Sequence, residues 1–203
     1  MSHTTYEVAL SGILGALGIA LRSFYLEIIA NVQLTPGMIP PALAGMLMGL
    51  RGGFMTGLIV GVYGALLSGE FPLIPLVGNV LLGIGPGLIC KTVDDTKTLL
   101  KSILYIALTG VIGGFIPTFL FLLALGPPAI AAFSALFDLA NATIAGIIGV
   151  LIWLLLRNWS YGYSLFAKEP KGKSKKPDES RFLVIGTESN KIYNPEATIF
   201  LRG

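Results

Sequence analysis

Read from its amino terminus, the chain is a succession of long apolar runs separated by short polar, glycine-rich or proline-rich breaks. A bilayer core of about 30 Å takes roughly 20 apolar residues as a helix, so apolar runs with few charges read as spans. The pattern predicts helices over residues 6–24, 40–50, 53–67, 73–90, 99–125 and 129–156. Helices two and three are short and divided only by Leu50-Arg51-Gly52-Gly53, so the count is six, or five if they fuse. Six is adopted, because it puts the basic residues on one side.

Composition agrees: of 203 residues 54% are hydrophobic and 12% charged, with a mean hydropathy of +0.79, outside the range of soluble domains. The first 157 residues carry six Lys/Arg and six Asp/Glu, whereas the last 46 carry eight and five. The chain therefore divides into a membrane domain, 1–157, and a polar tail, 158–203. A disordered, collagen-like or nucleic-acid-binding body is excluded, since each needs a polar or basic composition. The single cysteine, Cys90, excludes an intramolecular disulfide and any multi-cysteine metal site.

Arg51, the cluster Lys91, Lys97 and Lys101, and the tail from Arg157 fall on one side of a six-span layout. The other side has Arg22, Glu27, Glu70 and the uncharged Gly126-Pro127-Pro128 turn. The positive-inside tendency then predicts a multi-pass protein of the cell (plasma) membrane with both termini cytoplasmic. Glu7 stands where a signal peptide has a basic segment, and no small-residue cleavage site follows, so helix one is expected to stay in the protein. Gly45, Gly49, Gly53, Gly57 and Gly61 recur every four residues, as do the pairs Gly83/Gly87 and Gly110/Gly114. That spacing lets helix backbones approach one another, the usual route to packing in lipid. After Trp159 the lysine-rich 168–176 stretch reads as a solvated linker able to touch anionic lipid, and 181–186 and 197–202 as two short strands around Asn194-Pro195.

Polar groups within a span are costly, so the few present are the first candidates for a site. Ser134, Asp138 and Asn141 fall at i, i+4 and i+7, one face of helix six. Asn79 lies at a comparable depth in helix four, about 12 Å in. These four are expected to line a substrate pocket, joined at the outer mouth by Glu27, Asn31, Gln33 and Thr35 before helix two and by Glu70 and Phe71 between helices three and four. Three carboxylates, Glu27, Glu70 and Asp138, face Arg22 alone, which favours a neutral or cationic small molecule over an anion.

Enzyme motifs are missing: there is no Walker A loop, no Gly-x-Ser-x-Gly elbow and no His-Glu-x-x-His helix, and the one histidine is His3. Asp94-Asp95 has no partner carboxylates and reads as a solvated loop. The expectation is therefore a non-enzyme with no catalytic residue, no metal and no cofactor of its own. Active transport would need a partner that binds the ATP. A membrane sensor or scaffold whose tail is the output is the alternative; an intramembrane enzyme would need a second acid or nucleophile near Asp138.

Four segments carry a resemblance: Ala16-Leu-Gly-Ile-Ala20-Leu-Arg22 with its Ala-x-x-x-Ala spacing, 34–40, the glycine-rich 44–53 hairpin, and 141–149. Over about residues 6–157 the layout resembles the S component of energy-coupling factor (ECF) transporters, six-helix membrane proteins that capture vitamins and related micronutrients. The resemblance implies a high-affinity substrate-binding subunit that works with a coupling membrane subunit and two ATPases. It implies docking through helix one at Ala16 and Ala20, and substrate held near the outer surface, under the segment joining helices one and two, by Asn79, Asp138 and Asn141. The long tail departs from the family's pattern. So does the lack of an N-terminal His-containing motif, which argues against its metal-specific branch.

Overall fold

The computed structural model describes residues 3–29, 32–67, 72–93 and 98–158. Asn31, Glu70, Phe71, Asp94, Asp95, Lys97 and the tail beyond Asn158, including both strands expected there, lie outside the described residues. The fold is a helical membrane bundle: α1 (His3–Arg22), α2 (Ile39–Met48), α3 (Leu50–Leu67), α4 (Leu73–Thr92), α5 (Thr98–Leu125) and α6 (Pro128–Asn158). All except α2 are long and apolar enough to cross a membrane; with its 3-10 lead-in, the second apolar helix runs only Pro36–Met48. Leu58, Val62 and Leu66 of α3 and Ile144, Ile148, Leu151 and Leu155 of α6 are exposed, an apolar exterior suited to lipid.

The segment before helix two, expected as a loop, contains a hairpin. Strand β1 (Leu26–Ile29) pairs antiparallel with β2 (Val32–Leu34), Leu26 opposite Leu34 and Glu27 opposite Gln33, with an irregularity between Glu27 and Ile29. Its sequences are rich in Ile, Val and Leu with single polar residues between, a weak strand signal over three or four positions. The Thr35 side chain then accepts from Gly37 N–H at 3.2 Å and caps the Pro36–Met38 turn, where Pro36 lacks an N–H to leave unsatisfied.

The break between α2 and α3 falls at Gly49, one residue before the expected division. Gly49 has φ +76°, a backbone state that side chains disfavour, so α2 stops at Met48 and α3 starts at Leu50 instead of residue 53. Beyond this turn Gly45, Gly53 and Gly83 bring α2, α3 and α4 together backbone to backbone. A methyl group on either Gly45 or Gly53 would overlap the Gly83 carbonyl oxygen. The regular glycine spacing is thus spent on packing within the bundle.

Helices α2, α4, α5 and α6 form a ring, each packed on the next, with α6 closing on α2; α1 and α3 lie against α2 on its outside, and α3 also packs along α4. One end of the ring is filled. Tyr105 of α5 meets Trp153 of α6 edge to face at 5.3 Å and donates its hydroxyl to the Met46 carbonyl of α2 at 3.4 Å. Leu43 and Val150 complete this plug. Lys101, near the start of the helix expected over 99–125, lies inside α5 and is only 2% exposed. Its Nζ donates to Cys90 O at 3.0 Å and Val93 O at 3.2 Å, satisfying carbonyls at the end of α4. Arg157 adds a bond to Thr98 Oγ1 at 2.9 Å and lies 5.4 Å from the Trp153 ring, tying α5 to α6 at the same end.

Candidate functional site

Toward the hairpin end α2 is preceded by the Pro36–Met38 turn, which packs against α1 and α6. α5 is π-helical over Thr109–Phe115. Such a segment holds an extra residue per turn and redirects the side chains after it. Gly113 faces Leu82 of α4, while Gly110 and Gly114 face α6, against Thr143 and the Asp138 backbone. One turn later, the Thr118 hydroxyl donates to Asp138 Oδ2, and Thr118 is itself buried.

On α6 the face read from the i, i+4, i+7 spacing is present. Asn141 is 4% exposed, and Asp138 and Ser134, successively nearer the hairpin end, are half-buried. Asn79 of α4 is 2% exposed. Its backbone lies against Gly57 of α3, and Gly78 beside it approaches the Gly113 carbonyl of the π segment, with 3.8 Å from that oxygen to a methyl group placed there. Asn79 and Asp138 therefore flank the same stretch of α5. The Asn79 amide donates Nδ2–H to the Pro75 carbonyl at 2.7 Å, and its buried Oδ1 has no hydrogen-bond partner among the described residues.

Arg22, read from the sequence as an isolated charge on one face of the membrane, belongs to this cluster. It ends α1 half-buried between the Gly37 turn and α3: a methyl group on Gly64 would lie 2.8 Å from the guanidinium carbon, and one on Gly37 would lie 2.9 Å from Arg22 Cβ. Its positive charge and the Asp138 carboxylate attract one another. Within the bundle the Asp138 carboxylate is therefore offset by one guanidinium. Arg22 and Thr118 were not in the sequence-derived set. A charge closing an apolar run is the one signal that marked Arg22, and a single threonine in an apolar helix marks little.

Strand β2 and the Pro36–Met38 turn both touch α6, so the hairpin lies over this end of the ring. Glu27 is in β1 across from Gln33, placing it in that cover by its backbone; Glu70 is outside the described residues. Ala16 and Ala20 are elsewhere. Both are exposed on α1, and Gly12, one turn before, has open space where a Cβ would point. The bundle takes the opposite face, Ser11, Leu14, Gly15 and Gly18, all buried. Among the described residues no group of three or more His, Cys, Asp or Glu is placed to hold a metal.

A family model for the S component of ECF-type riboflavin transporters matches residues 2–158, the whole described bundle. No curated protein matches the chain significantly. Helix count, apolar exterior and matched length agree: the chain is a multi-pass membrane protein and belongs to the family of ECF-type riboflavin transporter S components.

Proposed function

We propose that this S component, the substrate-binding subunit of an ECF importer, captures riboflavin at the hairpin end of the ring. The observation that carries the reading is the polar set gathered there, Asp138 with Thr118, Arg22, Asn141 and Asn79, opposite an end plugged by Met46, Tyr105 and Trp153. Riboflavin is neutral near pH 7, with a ring imide, carbonyls and a polyhydroxyl chain; a balanced carboxylate and guanidinium with amide side chains complements it. Ser134 extends the polar face of α6 toward the cover, and Glu27 belongs to the mouth. The subunit does no chemistry on its ligand: ATP is bound by two ATPases, which work through a coupling membrane subunit that docks on Ala16 and Ala20 of α1.

The test is a fluorescence titration of purified protein with riboflavin. Removing one partner of a desolvated hydrogen bond costs about 1–3 kcal/mol, so Asp138→Ala is expected to weaken affinity about 5- to 150-fold with its melting temperature retained. Asp138→Asn keeps size and an acceptor, and is expected to lose less with a neutral ligand. Wild-type protein that ignored riboflavin would overturn the flavin assignment. Asp138→Ala at wild-type affinity would remove the α6 cluster from the site.

The hairpin end is placed outside the cell and both termini inside, with Arg51, Lys91, Lys101 and Arg157 on the cytoplasmic side. In a Cys90→Ser background, Gly126→Cys is expected to react with an impermeant thiol reagent added to intact cells, and Thr92→Cys to be protected. The reverse pattern would invert the topology.

A further inference from the structure

We infer that Asn79 Oδ1 accepts a hydrogen bond from an N–H or O–H of the captured molecule, making Asn79 a residue that selects for a donor at that point; this rests on the hairpin end being the flavin site. The orientation of its amide follows from its one bond. The Pro75 carbonyl can only accept, so the NH2 group must face it, at 2.7 Å, and the oxygen is fixed on the other side. That oxygen is buried and has no partner among the described residues. Leaving a buried acceptor unmet is unfavourable, and native structures hold few such groups.

The position on α4 shows which way the residue faces. Pro86, seven residues or about two turns farther along the helix, packs on Gly45 of α2. Leu82 faces α5 at Gly113, and Gly83 faces α3 at Gly53. Asn79 falls between these directions, on the same strip as Pro86 but about 10 Å nearer the hairpin, where α2 gives way to its 3-10 turn. Asn79 thus stands on the α2-facing strip of α4, just beyond the reach of the apolar plug. An apolar or acceptor-only group arriving there would leave Oδ1 unmet. A donor satisfies it, and oxidised riboflavin has two kinds: the ring imide N–H and the hydroxyls of its ribityl chain.

The experiment titrates purified wild type and Asn79→Leu with three probes: riboflavin, 3-methylriboflavin, which lacks the imide N–H, and lumiflavin, which lacks the hydroxyl chain. Asn79→Leu is expected to bind riboflavin about 5- to 150-fold more weakly than wild type. That gap should close for whichever analogue lacks the donor, for 3-methylriboflavin if the imide is bound and for lumiflavin if a hydroxyl is. If Asn79→Leu does not fold, Asn79→Thr and Asn79→Val replace it. These differ by one hydroxyl, which can donate to the Pro75 carbonyl and still accept, so threonine should bind riboflavin more tightly and the difference should close with the same analogue. Equal riboflavin affinity within either pair, or a gap that persists with both analogues, overturns the inference and leaves the flavin site standing. Wild type that binds no riboflavin overturns both.

Discussion

With Ala16 and Ala20 both replaced by tryptophan, the protein is expected to lose co-purification with its coupling and ATPase subunits, and with it all vitamin uptake, while its riboflavin affinity in detergent stays within a few-fold of wild type. Helices associate in lipid where small side chains let backbones approach, and an indole on that strip holds a partner helix away. On spacing alone the same two alanines serve equally well for packing inside the bundle. Their exposure favours the outside reading, since α1 turns Ser11, Leu14, Gly15 and Gly18 inward instead. Pull-down from membranes and uptake of labelled riboflavin read the first effect, and a titration of the purified subunit reads the second. Loss of binding with assembly intact would show that the strip packs internally.

Gly83→Val is expected to prevent recovery of a folded, monodisperse protein, and Gly83→Ala to lower its melting temperature sharply. A Cβ on Gly83 would overlap the Gly53 backbone, and one on Gly53 would overlap Gly83 in return, so neither clash can be relieved by turning a side chain. Overpacking typically costs about 1–3 kcal/mol, and a contact between two helix backbones belongs at the upper end. Gly12→Ala is the control. Nothing lies within 4 Å of the Cβ position at Gly12, and alanine favours a helix over glycine by about 1 kcal/mol, so the isolated subunit should keep or slightly raise its melting temperature. Equal melting of the Gly83→Ala and Gly12→Ala proteins, measured by detergent-compatible thermal shift and size exclusion, would mean that the α3–α4 seam yields more easily than its geometry implies.

Both effects follow from features visible at different levels. Runs of apolar residues set the spans because transfer into lipid depends on composition and length, which a linear pattern displays. The ranges expected for helices four to six therefore differ from α4, α5 and α6 by only a few residues. The face shared by Ser134, Asp138 and Asn141 is equally local, since one helical period relates them. The hairpin at Leu26–Leu34 was not legible, because three or four residues give too little alternation to tell a strand from a loop. Helix three was set to start late because the stop at Gly49 depends on which of several closely spaced glycines takes a positive φ.

Sequence by itself determined that the chain is a membrane bundle, where its helices run, and that Asp138 is a carboxylate well inside a span, each a consequence of transfer energy and helical period acting along the chain. Tertiary structure alone decided the partners: Thr118 reaches Asp138 after a π segment shifts the register of α5, Arg22 of α1 offsets the charge of the same carboxylate, and Lys101 turns inward to satisfy the last carbonyls of α4. The physical reason is that each pairing joins different helices. How those helices are rotated and how deep they sit is set by side chains packing across the bundle, which no local pattern contains.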